Sequence, residues 1–241
     1  MSDRRYPAVL LAVFAGWWLL LAIDPLYRED WFLENVLVLV AIPVLVRGHR
    51  TLPLSRRAYT GLFVFLMLHE VGAHYTYSLV PYDAAAHAVA GTSLSGLLGF
   101  ERNHFDRLMH LLYGVLLTPA ALDLIDARTT ARGLWRPLFA GTFLASHAVA
   151  YEVIEWLAAE AFGGDLGTAY LGTQGDGFDA PKDMALAVVG SLAALAWLSR
   201  PRRGSSSAPR SSASGSAPGA SAVPPRRPSS RAARARSATT S

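Results

Sequence analysis

Residues 104–122 read HFDRLMHLLYGVLLTPAAL, an apolar run of membrane-crossing length that opens on an acid and two histidines. Asp106 and His110 stand four apart, so a helix puts both on one face near its start. From Leu111 to Leu122 no charged residue follows. A helix needs roughly 20 apolar residues to cross a hydrocarbon core about 30 Å thick. The stretch therefore predicts a membrane-spanning helix with ionisable side chains at one end and hydrocarbon over the rest.

The pattern recurs on both sides. Apolar segments predict further helices near Pro7–Ile23, Trp31–Val46, Tyr59–Leu79, Leu134–Ala159 and Lys182–Ser199. With His104–Leu122 they make an all-α polytopic bundle of six transmembrane helices over residues 1–199. The second is short and contains Pro43, whose freed carbonyl a neighbouring helix can satisfy. Arg4 and Arg5 precede the first as in a secretory leader, but Ile23-Asp24-Pro25 offers no small-residue cleavage site, so it reads as a retained helix. Ala84–Phe100 is apolar, contains several Gly and Ser and is cramped between spans. It reads as an interfacial or re-entrant element with a short extra helix.

Charge sets the orientation. Arg4 and Arg5 precede the first span, whereas Asp24, Glu29 and Asp30 follow it. Arg47, Arg50, Arg56 and Arg57 follow the second, Asp83 and Glu101 the third, and Arg128, Arg132 and Arg136 the fourth. Glu160, Asp165, Asp176 and Asp179 follow the fifth. Short loops rich in Lys and Arg stay in the cytoplasm, which places both termini there. The sequence pI of 9.6 belongs to residues 200–241, which carry nine arginines and no acid; residues 1–199 hold all 18 acidic residues and the other 13 basic ones. That end is Ser, Ala, Pro, Gly and Arg, too polar to offset chain entropy by burial, and is expected to be a disordered cytoplasmic tail. Its arginines suit anionic lipid headgroups, and it has no aromatic residue for stacking on a nucleic acid. The chain has no cysteine, which excludes disulfide frameworks and thiolate metal sites.

The orientation gathers four polar clusters on the extracytoplasmic side. Glu70 and His74 share a face at the end of the third span, which Tyr77 continues; His69 and His74, five apart, do not make the paired-histidine zinc signature. Asp106 and His110 open the fourth span, with Asn103 and Tyr113 extending their face. Glu152 and Glu155 end the fifth, after His147, and Asp179 and Asp183 open the sixth. An ionisable residue in a span costs about 2.5–3.5 kcal/mol at its centre and normally faces a bundle interior or wet cavity. Four such pairs at one level predict one shared cavity. The plainer reading makes Asp179 an N-cap ahead of Pro181 and pairs Arg102 and Arg107 with Glu101 or Asp106. Carboxylates and imidazoles without thiols suit Zn, Mn or Fe, and carboxylate-rich sets suit Mg or Ca. The expected cofactor is a divalent metal on Asp106, His110, Glu152, Glu155, Asp179 and Asp183, with Glu70 and His74 as catalytic proton carriers.

Residues His69–Tyr77, Arg102–His110, Tyr151–Trp156 and Gly172–Met184 resemble the signature segments of the YjdF-type family of bacterial inner-membrane proteins, a likeness that runs over residues 1–199. It implies a multi-pass inner-membrane protein and no particular reaction. A more distant resemblance is to the VanZ-like membrane proteins, linked with glycopeptide resistance. Their pattern has an Asp and His opening one helix, an acidic pair ending the next and Asp residues opening a last helix. Asp106 and His110, Glu152 and Glu155, Asp179 and Asp183, then Gly190 follow that order, with Ala187 where an Asn is expected.

The function expected is a metal-assisted hydrolase or transferase on a lipid or lipid-linked envelope substrate, with membrane lipids as partners and no nucleic acid. The alternatives are an ion or small-solute transporter, against which no internal inverted repeat is visible, and a non-catalytic scaffold. Orientation is directly testable. Reporter fusions after Arg57, Arg132 and Arg203 should report cytoplasm, and fusions near Asp30, Asp83 and Asp165 the opposite side. A cytoplasmic signal at Asp165 would break the six-span arrangement and separate the clusters.

Overall fold

Among the residues described by the computed structural model, 5–52 and 54–200, all regular structure is helical. In order come α1 (Arg5–Leu21), α2 (Arg28–Gly48), α3 (Arg56–His74), α4 (Tyr82–Ala90), α5 (Leu94–Leu98), α6 (Phe105–Arg128), α7 (Trp135–Phe162), α8 (Gly164–Leu171) and α9 (Asp179–Leu198). By length and composition α2, α6, α7 and α9 are long and apolar enough to cross a membrane. The apolar α1 has 17 residues, while α3 has 19 but carries Arg56, Arg57, His69 and Glu70. From Pro201 onward the segment read as a tail lies outside the described residues.

Burial is inverted relative to a water-soluble domain. The largest side chains exposed by less than 2% are Glu70, Asn35, Thr118, Asp30, Asp183 and Ser191, all polar, whereas Leu39, Val44, Val153, Trp156 and Leu192 lie exposed. Water-soluble cores bury Leu, Ile and Phe and almost never an unpaired acid. A bundle bathed in hydrocarbon has no such preference and turns its ionisable groups inward.

At the centre, α6 is packed on by α9, α3 and α7; α1 lies on α3, and α8 bridges α7 and α2. Missing side chains fix its register. A Cβ on Gly114 would overlap the Ala187 carbonyl oxygen and the Ser191 amide, and one on Gly190 would overlap the Leu111 carbonyl oxygen. Gly61 meets the Leu116 carbonyl in the same way, so α3 also approaches α6 backbone to backbone. In lipid such close crossings supply the dispersion contact that apolar burial supplies in water. At the basic end, Ser55 caps α3 by accepting from the Ala58 amide and donates its own amide to Asp123 Oδ2 at 2.7 Å. Arg136 grips Asp126 through two bonds of 2.6 Å, joining α6 to α7.

Three readings from sequence need correction. The third helix ends at His74, short of Leu79, because Thr76 and Tyr77 take φ of 51° and 43° and turn the chain back. Tyr77 therefore leaves the Glu70–His74 face; its hydroxyl meets His69 Nδ1 at 2.5 Å, and its ring occupies the space that any Cβ on Gly72 would need. Asp30, read as a loop charge, lies in the first turn of α2 and is 1% exposed. Asn103 sits ahead of α6, accepting from the Phe105 amide at 3.0 Å and donating to the Val80 carbonyl at 2.9 Å. Residues 84–100 make two short helices, neither long enough to span, and none of their residues is buried.

The α6–α9 crossing carries a prediction. Gly190→Val should lower stability in detergent by about 1–3 kcal/mol or more through overpacking, read as a fall in melting temperature. Gly16→Ala, with nothing within 4 Å of the added carbon, should be neutral or stabilising by helix propensity. Equal melting of both variants would contradict the close crossing.

Candidate functional site

Five helices bring acids to one end of the bundle. The first turns of α2, α6 and α9 contribute Asp30, Asp106 and Asp179, while α3 and α7 arrive from the opposite direction. Helix N-termini carry partial positive charge worth about 0.3–1 kcal/mol to a nearby anion, so three helices converge with the polarity that carboxylates favour.

The centre of the site spans α6, α7 and α9. Asp106, His110 and Asp183 each offer a ligand atom within 4.8 Å of the others. His110 Nε2 lies 3.6 Å from Asp106 Oδ1 and 3.4 Å from Glu152 Oε1. Among these, Asp183 Oδ1 and Glu152 Oε1 are buried without a hydrogen-bond partner. The Tyr151 ring meets His110 edge-on at 6.0 Å, and its side chain faces Glu155 and Glu34.

A second group of acids lies alongside. Asp30, Glu34 and Asn35 on α2 face Glu70 on α3, and Glu34 is in electrostatic reach of Asp30, Asp106 and Glu70. Both oxygens of Asp30 and Glu70 lack hydrogen-bond partners. An uncompensated buried carboxylate is expensive, so such a group takes up a proton, a cation or water.

A polar latch closes the end of the bundle. Arg102 grips Asp179 with both nitrogens, at 2.6 and 3.2 Å, and donates to the Thr173 carbonyl at 2.9 Å. Arg107 bonds Asp176 at 2.5 Å and Asp179 at 3.1 Å, and Lys182 reaches Asp176 at 2.5 Å. Asn103 and Gln174 exchange bonds of 2.9 and 3.0 Å. The loop entering α6 is thereby zipped to the loop entering α9.

Of the residues predicted from sequence, the fold brings together Asp106, His110, Glu152 and Asp183, with Glu155 one turn along α7 and Glu70 among the neighbouring acids. His74 stands apart: its Nδ1 donates to the Leu21 carbonyl at 2.9 Å, toward α1. Asp179 has both oxygens held by arginine and is the first residue of α9 rather than its N-cap, a position taken by Phe178 without a side-chain cap. The arginines pair with Asp176 and Asp179, not with Glu101 or Asp106. Sequence reasoning missed Asp30, Glu34 and Asn35. Their signal was present, since Asp30 and Glu34 have the same spacing of four as Asp106 and His110.

Residues 6–204 match the DUF2238 family, described as a predicted membrane protein. The chain belongs to that family. It is 32% identical over 174 residues to the inner membrane protein YjdF of Escherichia coli (strain K12), covering 72% of this chain and 79% of the relative. No solved structure matches. The match takes in all five helices of the site, so the acids on α2 and α9 belong to the same family unit as those between them.

The latch should be sensitive to acid. Lys182, the Phe178 amide and Arg107 hold the Asp176 carboxyl well below the usual carboxylate range. A depressed folded pKa means that the latch contributes fully above the unfolded value of about 4 and is lost as pH falls below it. Hydrogen-exchange protection of residues 172–178 should be constant from about pH 8 to 5 and fall below about pH 4, a step that Asp176→Asn removes. Loss of protection already at neutral pH would show that the ion pairs do not hold the loops.

Proposed function

We propose that this chain is a six-span inner-membrane protein, with both termini in the cytoplasm, whose extracytoplasmic pocket holds a divalent cation for hydrolysis or transfer on a lipid or lipid-linked envelope substrate. The observation that carries the reading is the triad Asp106, His110 and Asp183 with ligand atoms inside 4.8 Å, beside partnerless oxygens of Glu152 and Asp183. The neighbouring basic side chains make their ion pairs with Asp176 and Asp179 rather than with these acids. Mixed carboxylate and imidazole donors suit Zn or Mn.

A cation on these side chains would acidify water and polarise a phosphoryl or acyl oxygen. Glu155 and Tyr151 stand beside the ligands as proton acceptor and donor, and Glu34, in reach of both Asp106 and Glu70, passes the proton toward Glu70. A second reading, cation or proton passage, draws on the same acids extending from Asp183 to Asp30 across four helices, α9, α6, α3 and α2.

Thermal melts of the purified chain with and without Zn, Mn or Mg test the proposal. A metal at 100 times its dissociation constant should stabilise by about 2.7 kcal/mol. Asp106→Asn and Asp183→Asn should erase that response and leave the metal-free bundle equally stable or more so, since each relieves repulsion. If no metal shifts the melt and each variant costs about 3–5 kcal/mol, the acids are structural pairs. Proton or cation flux into vesicles containing the protein, lost in Glu34→Gln, would favour passage instead.

A further inference from the structure

The carboxylates face the interior, but the helices carrying them also have an outer face. There α6 and α9, roofed by α4 and α5, enclose an open groove of about 750 Å³, within the range of small-molecule pockets. Leu108 and Leu111 line it from α6, Leu186 and Val189 from α9, and Leu98 from α5. Leu98 is 61% and Val189 54% exposed, so the groove opens sideways where the helix pair meets lipid. The roof is lightly covered: none of its residues is buried, Tyr82, Asp83 and Ser95 bind it together through bonds of 3.1 and 2.8 Å, and the Tyr82 hydroxyl ties it to α6 by accepting from the His104 amide at 3.0 Å.

The rim differs from the walls, being formed by His104, Arg107 and Lys182. Its charge is unbalanced. Arg102, Arg107 and Lys182 bring three positive charges to the latch, Asp176 and Asp179 bring two negative ones, and one positive charge is left over. Arg107 Nε is buried with no hydrogen-bond partner, and the Lys182 side chain is 49% exposed. An apolar groove open to lipid, with a surplus positive charge in the latch and the half-exposed Lys182 beside Arg107 at its rim, has the charge complement of an anionic amphiphile.

We propose that this groove docks an anionic phospholipid, its phosphate at Arg107 and Lys182 and an acyl chain lying between α6 and α9 beneath the α4–α5 roof. Arg107 follows Asp106 in sequence and is electrostatically coupled to Asp106 and Asp183, so a phosphate held there lies next to the carboxylate cluster. The inference deepens the metal-site reading by naming its substrate class, and rests on that reading for chemistry alone; the binding follows from the groove.

The test uses the full chain, delipidated in neutral detergent and analysed by native mass spectrometry with dioleoyl phosphatidylglycerol, dioleoyl phosphatidylcholine or inorganic phosphate. One phosphatidylglycerol should bind per chain, on the order of tenfold better than phosphatidylcholine, the worth of one charged hydrogen bond. Lys182→Gln should abolish that preference. Val189→Trp and Leu98→Glu, both at exposed positions, should remove the adduct without lowering the melting temperature. Equal retention of the two lipids, or an adduct that survives both groove variants, overturns the proposal. So does competition by equimolar inorganic phosphate, which would mean a free-anion site, or a chain dimer that Val189→Trp dissociates. Asp183→Asn should keep the lipid, so absence of a metal response retires the metal reading alone and loss of lipid selectivity retires this one alone.

Discussion

The structure depends on the backbone contact between α6 and α9 at Gly114 and Gly190. Both helices start at the same end and run in parallel. Gly114 lies eight residues after Asp106 and Gly190 seven after Asp183, about two turns in each case. The crossing therefore works as a register pin. It fixes two acids far apart in the sequence at one height, with His110 one turn below Asp106. A larger residue at either glycine would spread the pair and slide it, and Asp106, His110 and Asp183 would lose their close spacing. The Arg102 and Arg107 bonds to Asp176 and Asp179 fasten the same two helices from above, so the pair is held at both edges of the site.

Much of this was legible in the chain because hydrocarbon imposes simple lengths. The apolar runs behind α1, α2, α6, α7 and α9 stand out, and the acid–histidine spacing at 106 and 110 predicts a shared face that the fold retains. The end of α3 was not legible. Periodicity runs through Tyr77, and only the left-handed backbone at Thr76 and Tyr77 shows that the chain turns back onto Gly72. Asp30 was missed because a charge next to a span reads naturally as a loop charge. Distinguishing it from Glu29 requires knowing which face of α2 meets α3. Likewise the partners of Arg102 and Arg107 lie some seventy residues away, beyond anything local spacing reports.

The acids also differ among themselves in a way that composition hides. Asp176 and Asp179 are saturated with guanidinium and ammonium donors and behave as fasteners. Asp30, Glu70 and Asp183 have buried oxygens outside normal hydrogen-bond geometry to any donor, with Thr76 near Asp30 and Asn35 near Glu70. Two populations of carboxylate, one satisfied and one not, occupy adjacent layers at the same end of the bundle. The inner layer is left bare while the outer layer is paired several times over.

The parallel pairing of α6 with α9 has a consequence for biogenesis. Ribosomal synthesis delivers Glu34, Glu70 and Asp106 well before Asp183, and chains assemble N-terminal elements first. Until α9 arrives, the groove on α6 that Gly114 opens has no occupant and the acids above it have no lid. Insertion of α9 then supplies the missing wall, Asp183 and the latch in one step. A chain interrupted after α7 is left with its acids uncovered on the α9 side, a state that membrane quality control can distinguish from the finished bundle.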